Sequence, residues 1–207
     1  LAPLLLLLAG APAAPPDPVA DVVIYGCTAG GVIAAVEGRR LGRSVTLVCR
    51  DAYVGGMTTN GLSWSDTGNH RAIGGLALDF YRRVKRHYDD PAAWTLAPRP
   101  ARAENFVDDG AMWQFEPHVA ERILEDWIAE AGVTVVRNQP IDRGRHGVQR
   151  DGTRVVAFQS SRGRRFAGRM FIDASYEGDL MAGAGVSFAT GREANATYGE
   201  TLNGVQA

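Results

Sequence analysis

Cysteine is scarce in this chain: Cys27 and Cys49 are the only two among 207 residues, and two cysteines make no disulfide framework. Histidine is equally sparse, and His70, His87, His118 and His146 show none of the spacings of a metal site. No long hydrophobic run is present. The longest, Leu4–Leu8, is far short of the ~20 residues that cross a bilayer. Neither sign of charge dominates, since 22 Lys and Arg face 23 Asp and Glu for a net charge of −1. That balance argues against nucleic acid or an anionic membrane surface as a partner, because both need a basic footprint. The 45% hydrophobic and 22% charged content is that of an ordinary globular domain. Glycine, by contrast, is plentiful: 25 residues, gathered at Gly26–Gly31, Gly55–Gly61 and Gly74–Gly75. Such clusters mark backbone that turns tightly or approaches a ligand closely.

Residues 1–18 are set apart from the fold. The chain opens on Leu1 rather than methionine, runs through Leu4–Leu8 and the small residues Ala9–Ala11, and continues into Pro15-Pro16-Asp17-Pro18. Apolar core, small-residue cleavage site and spacer is the order of a secretory signal peptide, so the protein is expected to be exported, to a periplasmic or secreted location. The competing readings are a disordered tail and an anchor cut short at its start.

The next segment carries a strand–loop–helix–strand pattern. Asp21–Tyr25 is a short β-branched run, Gly31–Leu41 a helix closed by Gly42, and Ser44–Val48 a second apolar strand. Together they predict the βαβ unit that binds dinucleotides. In the loop Gly26-Cys27-Thr28-Ala29-Gly30-Gly31, Gly26 suits the turn out of the strand and Gly31 the packing of helix on strand. Thr28 replaces the middle glycine of the usual pattern, and its hydroxyl is expected to donate to a phosphate beside the helix amides. An acidic residue about 20 residues past the loop normally bonds the ribose hydroxyls, but here Cys49-Arg50-Asp51 stands in that place. Three readings remain open. Asp51 substitutes from further on, backbone groups and Arg50 hold the ribose without a carboxylate, or Arg50 faces a 2′-phosphate and the ligand is NADP. The two cysteines end neighbouring parallel strands, which allows a bridge; two small buried thiols are the expected state.

A second glycine-rich loop, Val54–Leu62, follows where a plain nicotinamide dehydrogenase would enter its next helix. Its amides and hydroxyls suit a longer ligand. Tyr25–Val32, Val54–Leu62 and Phe171–Leu180, with the runs Gly191–Asn195 and Tyr198–Gln206, resemble the FAD-dependent oxidoreductase family of two-dinucleotide-binding-domain, glutathione-reductase-like flavoproteins. The resemblance extends over nearly everything after the leader. It implies FAD as cofactor, with Gly26, Cys27, Thr28, Ala29, Gly30 and Gly31 at the pyrophosphate. Cys49 and Arg50 would stand near the ribose, and Gly55, Gly56, Met57 and Thr58 further along the cofactor. Cys49 occupies the place of the usual ribose-binding glutamate. The resemblance also implies a full protein considerably longer than this chain.

The remaining pattern predicts a Rossmann-like α/β domain over 19–207 with a helical insertion at about 67–131 and an antiparallel β-meander at about 147–168. Within the insertion, Ile73–His87 and Pro117–Ala131 are amphipathic helices separated by a Pro-rich loop over 91–109. The basic face Arg82, Arg83, Lys85 and Arg86 of the first helix is expected to face water. Val133–Val136 is the third parallel strand. Strands Gly147–Arg150 and Arg154–Gln159 surround a turn at Asp151-Gly152, a further short strand follows Ser161–Gly163, and Arg169–Asp173 closes the parallel sheet. Asp173 at its C-terminal end is expected beside the cofactor by the switch-point rule.

Catalytic candidates are Tyr176, Glu177 and Asp179, a phenol and two carboxylates expected near the flavin edge, able to orient a substrate or move a proton. The alternative for the carboxylates is capping of the helix that begins near Leu180. The expected activity is an FAD-dependent oxidation of a small organic or sugar-like molecule. An NADP-binding reductase and a degenerate, non-catalytic flavin-binding module are the alternatives.

Overall fold

The computed structural model describes residues 19–62, 65, 66, 68–96, 98 and 110–204. The leader over 1–18, most of the Pro-rich loop and the last three residues lie outside that set. Alternation of apolar residues on strand β1 (Ala20–Tyr25) feeds two cores, because successive side chains of a strand point to opposite faces. Ile24 enters one cluster with helices on it; Val23 and Tyr25 enter another on the far side.

Helix α1 (Ala29–Arg40) buries Val32, Ala35 and Val36 as one stripe on the sheet. Strand β2 (Val45–Val48) pairs parallel with β1. After the second glycine loop come α2 (Gly75–Asp89) and α3 (Pro117–Ala131). The first begins two residues later than its periodicity predicts, since a single turn at His70–Ala72 precedes it. Proline opens α3, where its missing N–H costs nothing. Its buried face of Val119, Ile123, Leu124, Trp127 and Ile128 packs over α1 and α2. Strand β3 (Thr134–Val136) then joins β2 in parallel.

The basic face of α2 is not merely solvated, contrary to expectation. Arg83 makes two hydrogen bonds to the Glu130 carboxylate, at 2.9 and 2.6 Å, and its guanidinium lies 4.5 Å from the Trp127 ring centroid. Arg82 and Lys85 pair with Asp79 and Asp89 on their own helix. The fork of arginine serves two planar partners on α3 at once, which a lysine would not.

Strands β4 (Val148–Asp151) and β5 (Arg154–Gln159) form the predicted hairpin. The short strand and the closing strand expected after it are one continuous strand, β6 (Arg165–Asp173). Its first residues pair antiparallel with β5, and from Gly168 onward it pairs parallel with β1. A Cβ at Gly168 would stand 2.6 Å from a methyl of Val23, so glycine lets the strand change neighbours without a break. The result is one six-stranded mixed sheet in the order β3-β2-β1-β6-β5-β4, closed by the short helix α4 (Asp179–Gly183). Among the described residues no helix is long and apolar enough to cross a membrane.

Candidate functional site

The C-terminal ends of β1, β2 and β6 meet at the start of α1, the position where open α/β sheets bind ligands. Gly26 leaves β1 with φ +106°, and a Cβ there would lie 2.5 Å from the backbone of Ala174 and Ser175. A methyl on Gly31 would fall inside the Gly26 carbonyl oxygen. Both glycines are therefore demanded by backbone-to-backbone approach, and the loop between them is drawn against the end of β6.

Thr28 caps α1. Its Oγ1 accepts from the Gly31 amide at 3.2 Å and donates to the Ala174 carbonyl at 2.8 Å. The hydroxyl is thus directed at the residue that follows β6, and Thr28 fixes the helix start. The amides of Ala29 and Gly30 in the first turn have no intrahelical acceptor by helix geometry. They lie at the positive end of a 12-residue helix, the environment that attracts an anion.

The cysteines are also not free thiols. Cys27 and Cys49 are joined in a disulfide with Cα atoms 4.9 Å apart. Parallel pairing sets Tyr25 against Val48, so the residues just beyond fall within the Cα separation that a bridge requires. Isolated sequence spacing carries no such distance. The bridge ties the helix-start loop to the end of β2, and the second glycine loop docks on it: the Gly55 amide donates to the Cys27 carbonyl at 2.7 Å, and Thr28 and Gly55 pair as a short parallel bridge.

Two cavities flank the helix start. One, of about 180 Å³, is lined by Tyr25–Thr28, Cys49–Asp51, Tyr53, Gly56, Asn60 and Ser175–Glu177. The other, of about 260 Å³, is apolar, with Ala29, Gly30, Ile33, Thr58, Ala77, Phe80, Tyr81 and Leu124 around it. Met57, in the second glycine loop, donates its amide to the Tyr176 hydroxyl at 2.8 Å. Of the residues expected at a cofactor, the structure brings Gly26, Cys27, Thr28, Cys49, Arg50 and Gly56 to the first cavity and Ala29, Gly30 and Thr58 to the second.

Asp173 lines neither. Its Oδ1 accepts from the Ser175 amide and hydroxyl, and its Oδ2 accepts from the Met181 amide at 2.8 Å. This carboxylate folds the turn into α4, taking the capping role that was the alternative reading for Glu177 and Asp179. Gly178 is the residue before the helix, with no side-chain cap. Asp179 turns to Arg143, at 2.7 Å. Glu177 instead faces Arg50, with Oε1 3.0 Å from Nη1, in the first cavity with Tyr176. This Arg50–Glu177 pair joins residues 127 apart in sequence, and no local pattern reveals it. Tyr53 and Asn60 likewise enter the cavity wall; both belong to the stretch around the second glycine loop, which was the available signal.

The chain matches the family model described as FAD dependent oxidoreductase over residues 21–207. Solved structures share its fold. An L-amino acid deaminase from Proteus vulgaris aligns with a TM-score of 0.52 at 13% identity, covering 87% of this chain and 59% of that one. L-Proline dehydrogenase from P. horikoshii gives 0.54 at 13% identity, with 84% and 58% covered. A flavin-dependent brominase gives 0.53 at 19% identity, with 81% and 41% covered. This chain therefore spans less than two thirds of each of these structures. No curated protein matches it.

Proposed function

The chain belongs to the FAD dependent oxidoreductase family, and from that premise we propose that it is the cofactor-holding portion of an exported flavoenzyme that oxidises a small organic or sugar-like substrate. The observation that carries the reading is the pair of cavities on either side of the α1 N-terminus. A two-part ligand joined by a pyrophosphate needs that arrangement, with the phosphates at the helix amides. The residues present fit FAD: Gly26 and Gly31 leave backbone where a Cβ would collide, and the mixed and the apolar cavity suit its nucleoside and ring-system halves. Bound there, the flavin would accept two electrons from the substrate.

In this reading the chain's own residues position and insulate. Ala29 and Gly30 present amides to the pyrophosphate, and Thr28 and the Cys27–Cys49 bridge hold those amides in place. Ile33, Phe80 and Leu124 keep water from the apolar side. Export is supported by the leader composition and by the disulfide, since such bonds persist in oxidising compartments. An NADP ligand is disfavoured because the Arg50 guanidinium is already met by Glu177.

The test is the visible absorption spectrum of the purified intact protein. Flavin bands, with FAD released on denaturation, are expected. A colourless intact protein that also resists reconstitution with FAD overturns the proposal. Mass spectrometry of the secreted product is expected to place its N-terminus within or just after the small-residue segment that follows Leu8; a protein retained in the cytoplasm with its leader intact overturns the export assignment.

A further inference from the structure

Position 49, at the end of β2, is where a carboxylate is expected to meet the ribose hydroxyls of a dinucleotide. Here that residue is fully buried and its sulfur is bonded to Cys27, so it offers no acceptor to a ligand. The cavity beside it nevertheless contains two carboxylates, Asp51 and Glu177. Asp51 is exposed on a bend. Glu177 is held. Arg50, the neighbour of Cys49, engages its Oε1 at 3.0 Å. Ser175 and Tyr176, the residues before it, are fixed by Asp173 and by the Met57 amide. Its second oxygen has no partner among the described residues.

We propose that Glu177, delivered from the β6–α4 turn and oriented by Arg50, is the residue that binds the ribose hydroxyls of the adenosine half of the cofactor in place of the missing acid at position 49. The inference rests on the FAD reading above. The Cys27–Cys49 bridge takes over the structural task at the end of β2, and the acceptor reaches the same cavity from the other side, across β1. A carboxylate accepts from a diol but repels a phosphate. The pair therefore selects an unmodified ribose: Arg50 is neutralised by Glu177, and a 2′-phosphate would meet the free oxygen of the same carboxylate.

The experiment uses the intact protein stripped of cofactor, with binding followed by flavin fluorescence and by competition, so that no turnover is involved. Glu177→Gln is expected to weaken FAD by about tenfold while leaving FMN, which lacks the adenosine half, unchanged. In competition, wild type is expected to prefer ADP over its 2′,3′-dideoxy counterpart by a similar factor, and Glu177→Gln to treat the two alike. The variant is also expected to gain affinity for adenosine 2′,5′-bisphosphate, because Arg50 is released. Wild-type protein that does not discriminate ADP from dideoxy-ADP overturns the inference, as does equal FAD affinity in wild type and Glu177→Gln. The ligand-side comparison in wild type needs no mutation, so a variant that fails to fold leaves the test intact. Failure of wild type to bind FAD at all is a different result: it overturns the cofactor reading itself.

Discussion

At the start of α1 the tightest contacts run from backbone to backbone, with a covalent bridge beside them, whereas the layer of α2 and α3 is held mainly by side chains. Gly26, Gly31 and Ala174 meet with no room for a single added methyl, and a covalent bridge crosses from Cys27 to Cys49. In the helical layer, Arg83 reaches Glu130 and Trp127, Tyr88 reaches Glu116, and Phe80 meets Phe115 edge-on with centroids 5.6 Å apart. Backbone cannot move aside, so the loop tolerates change in an all-or-none way. Side chains can re-pack, so the helical layer yields by degrees. A site that must hold amides at a fixed distance from an anion is built from the first kind of contact.

Gly31→Ala would test that contrast most severely. The added Cβ meets a carbonyl oxygen rather than a flexible side chain, so a loss of about 4 kcal/mol or more, or no folded protein, is expected by denaturant unfolding. An alanine variant with near wild-type stability would show that the loop is as adaptable as the helices. Removing the bridge by Cys27→Ala with Cys49→Ala comes next. The linked residues are 22 apart, and releasing a loop of that size costs about 3 kcal/mol. Cofactor affinity is expected to fall with it, because the helix-start loop loses its tie to β2.

Tyr88→Phe is the corresponding change in the helical layer. The buried phenol donates to the Glu116 carboxylate and accepts from the Glu116 amide, both at 2.8 Å, and its loss should cost about 1–3 kcal/mol. Burial, more than the neighbouring carboxylate, pushes the Tyr88 hydroxyl up to about 12 from its ordinary 10. The folded-state value is the higher one, so this contribution is fully present below pH 10 and is lost as pH rises through about 12. Alkaline unfolding curves of wild type and the phenylalanine variant should converge over that interval; parallel curves would show that Tyr88 does not titrate with the fold.

The smallest effect is expected at Glu130. Hydrogen bonds from Arg83 hold its carboxyl below the ordinary 4.5 despite its exposure. The folded-state value is the lower one, so the stabilisation is present above pH 4.5 and is lost as pH falls through the folded value. Glu130→Gln should remove only about 0.2–1 kcal/mol near neutral pH, with the difference vanishing in acid. A larger loss would mean that the α2–α3 clamp resembles the loop more than this contrast allows.

Much of the fold was legible along the chain. β1, α1 and β2 follow from a β-branched run, a small-residue stripe and a second apolar run, and α3 begins and ends at the proline and glycine that mark it. The division of β6 into two strands was wrong because Gly168 looks like a breaker locally, while in the sheet it is the point where one strand passes from β5 to β1. In the site, both glycine loops stand out by composition. The hydrogen bond that Thr28 makes did not, since its acceptor, Ala174, lies 146 residues away. The basic face of α2 read as solvated for the same reason: Glu130 belongs to another helix.

By itself the sequence determined which segments are helix, strand and close-approach loop, because hydrophobic period, capping and glycine are properties of neighbours along the chain. Only the tertiary structure decided which side chains share the site. The bridge between Cys27 and Cys49, the hydrogen bond from Thr28 to Ala174, and the meeting of Arg50 with Glu177 all depend on the order of strands in the sheet. Strand order sets distances of a few ångströms between residues far apart in sequence, and hydrogen bonds, ion pairs and disulfides form only at such distances.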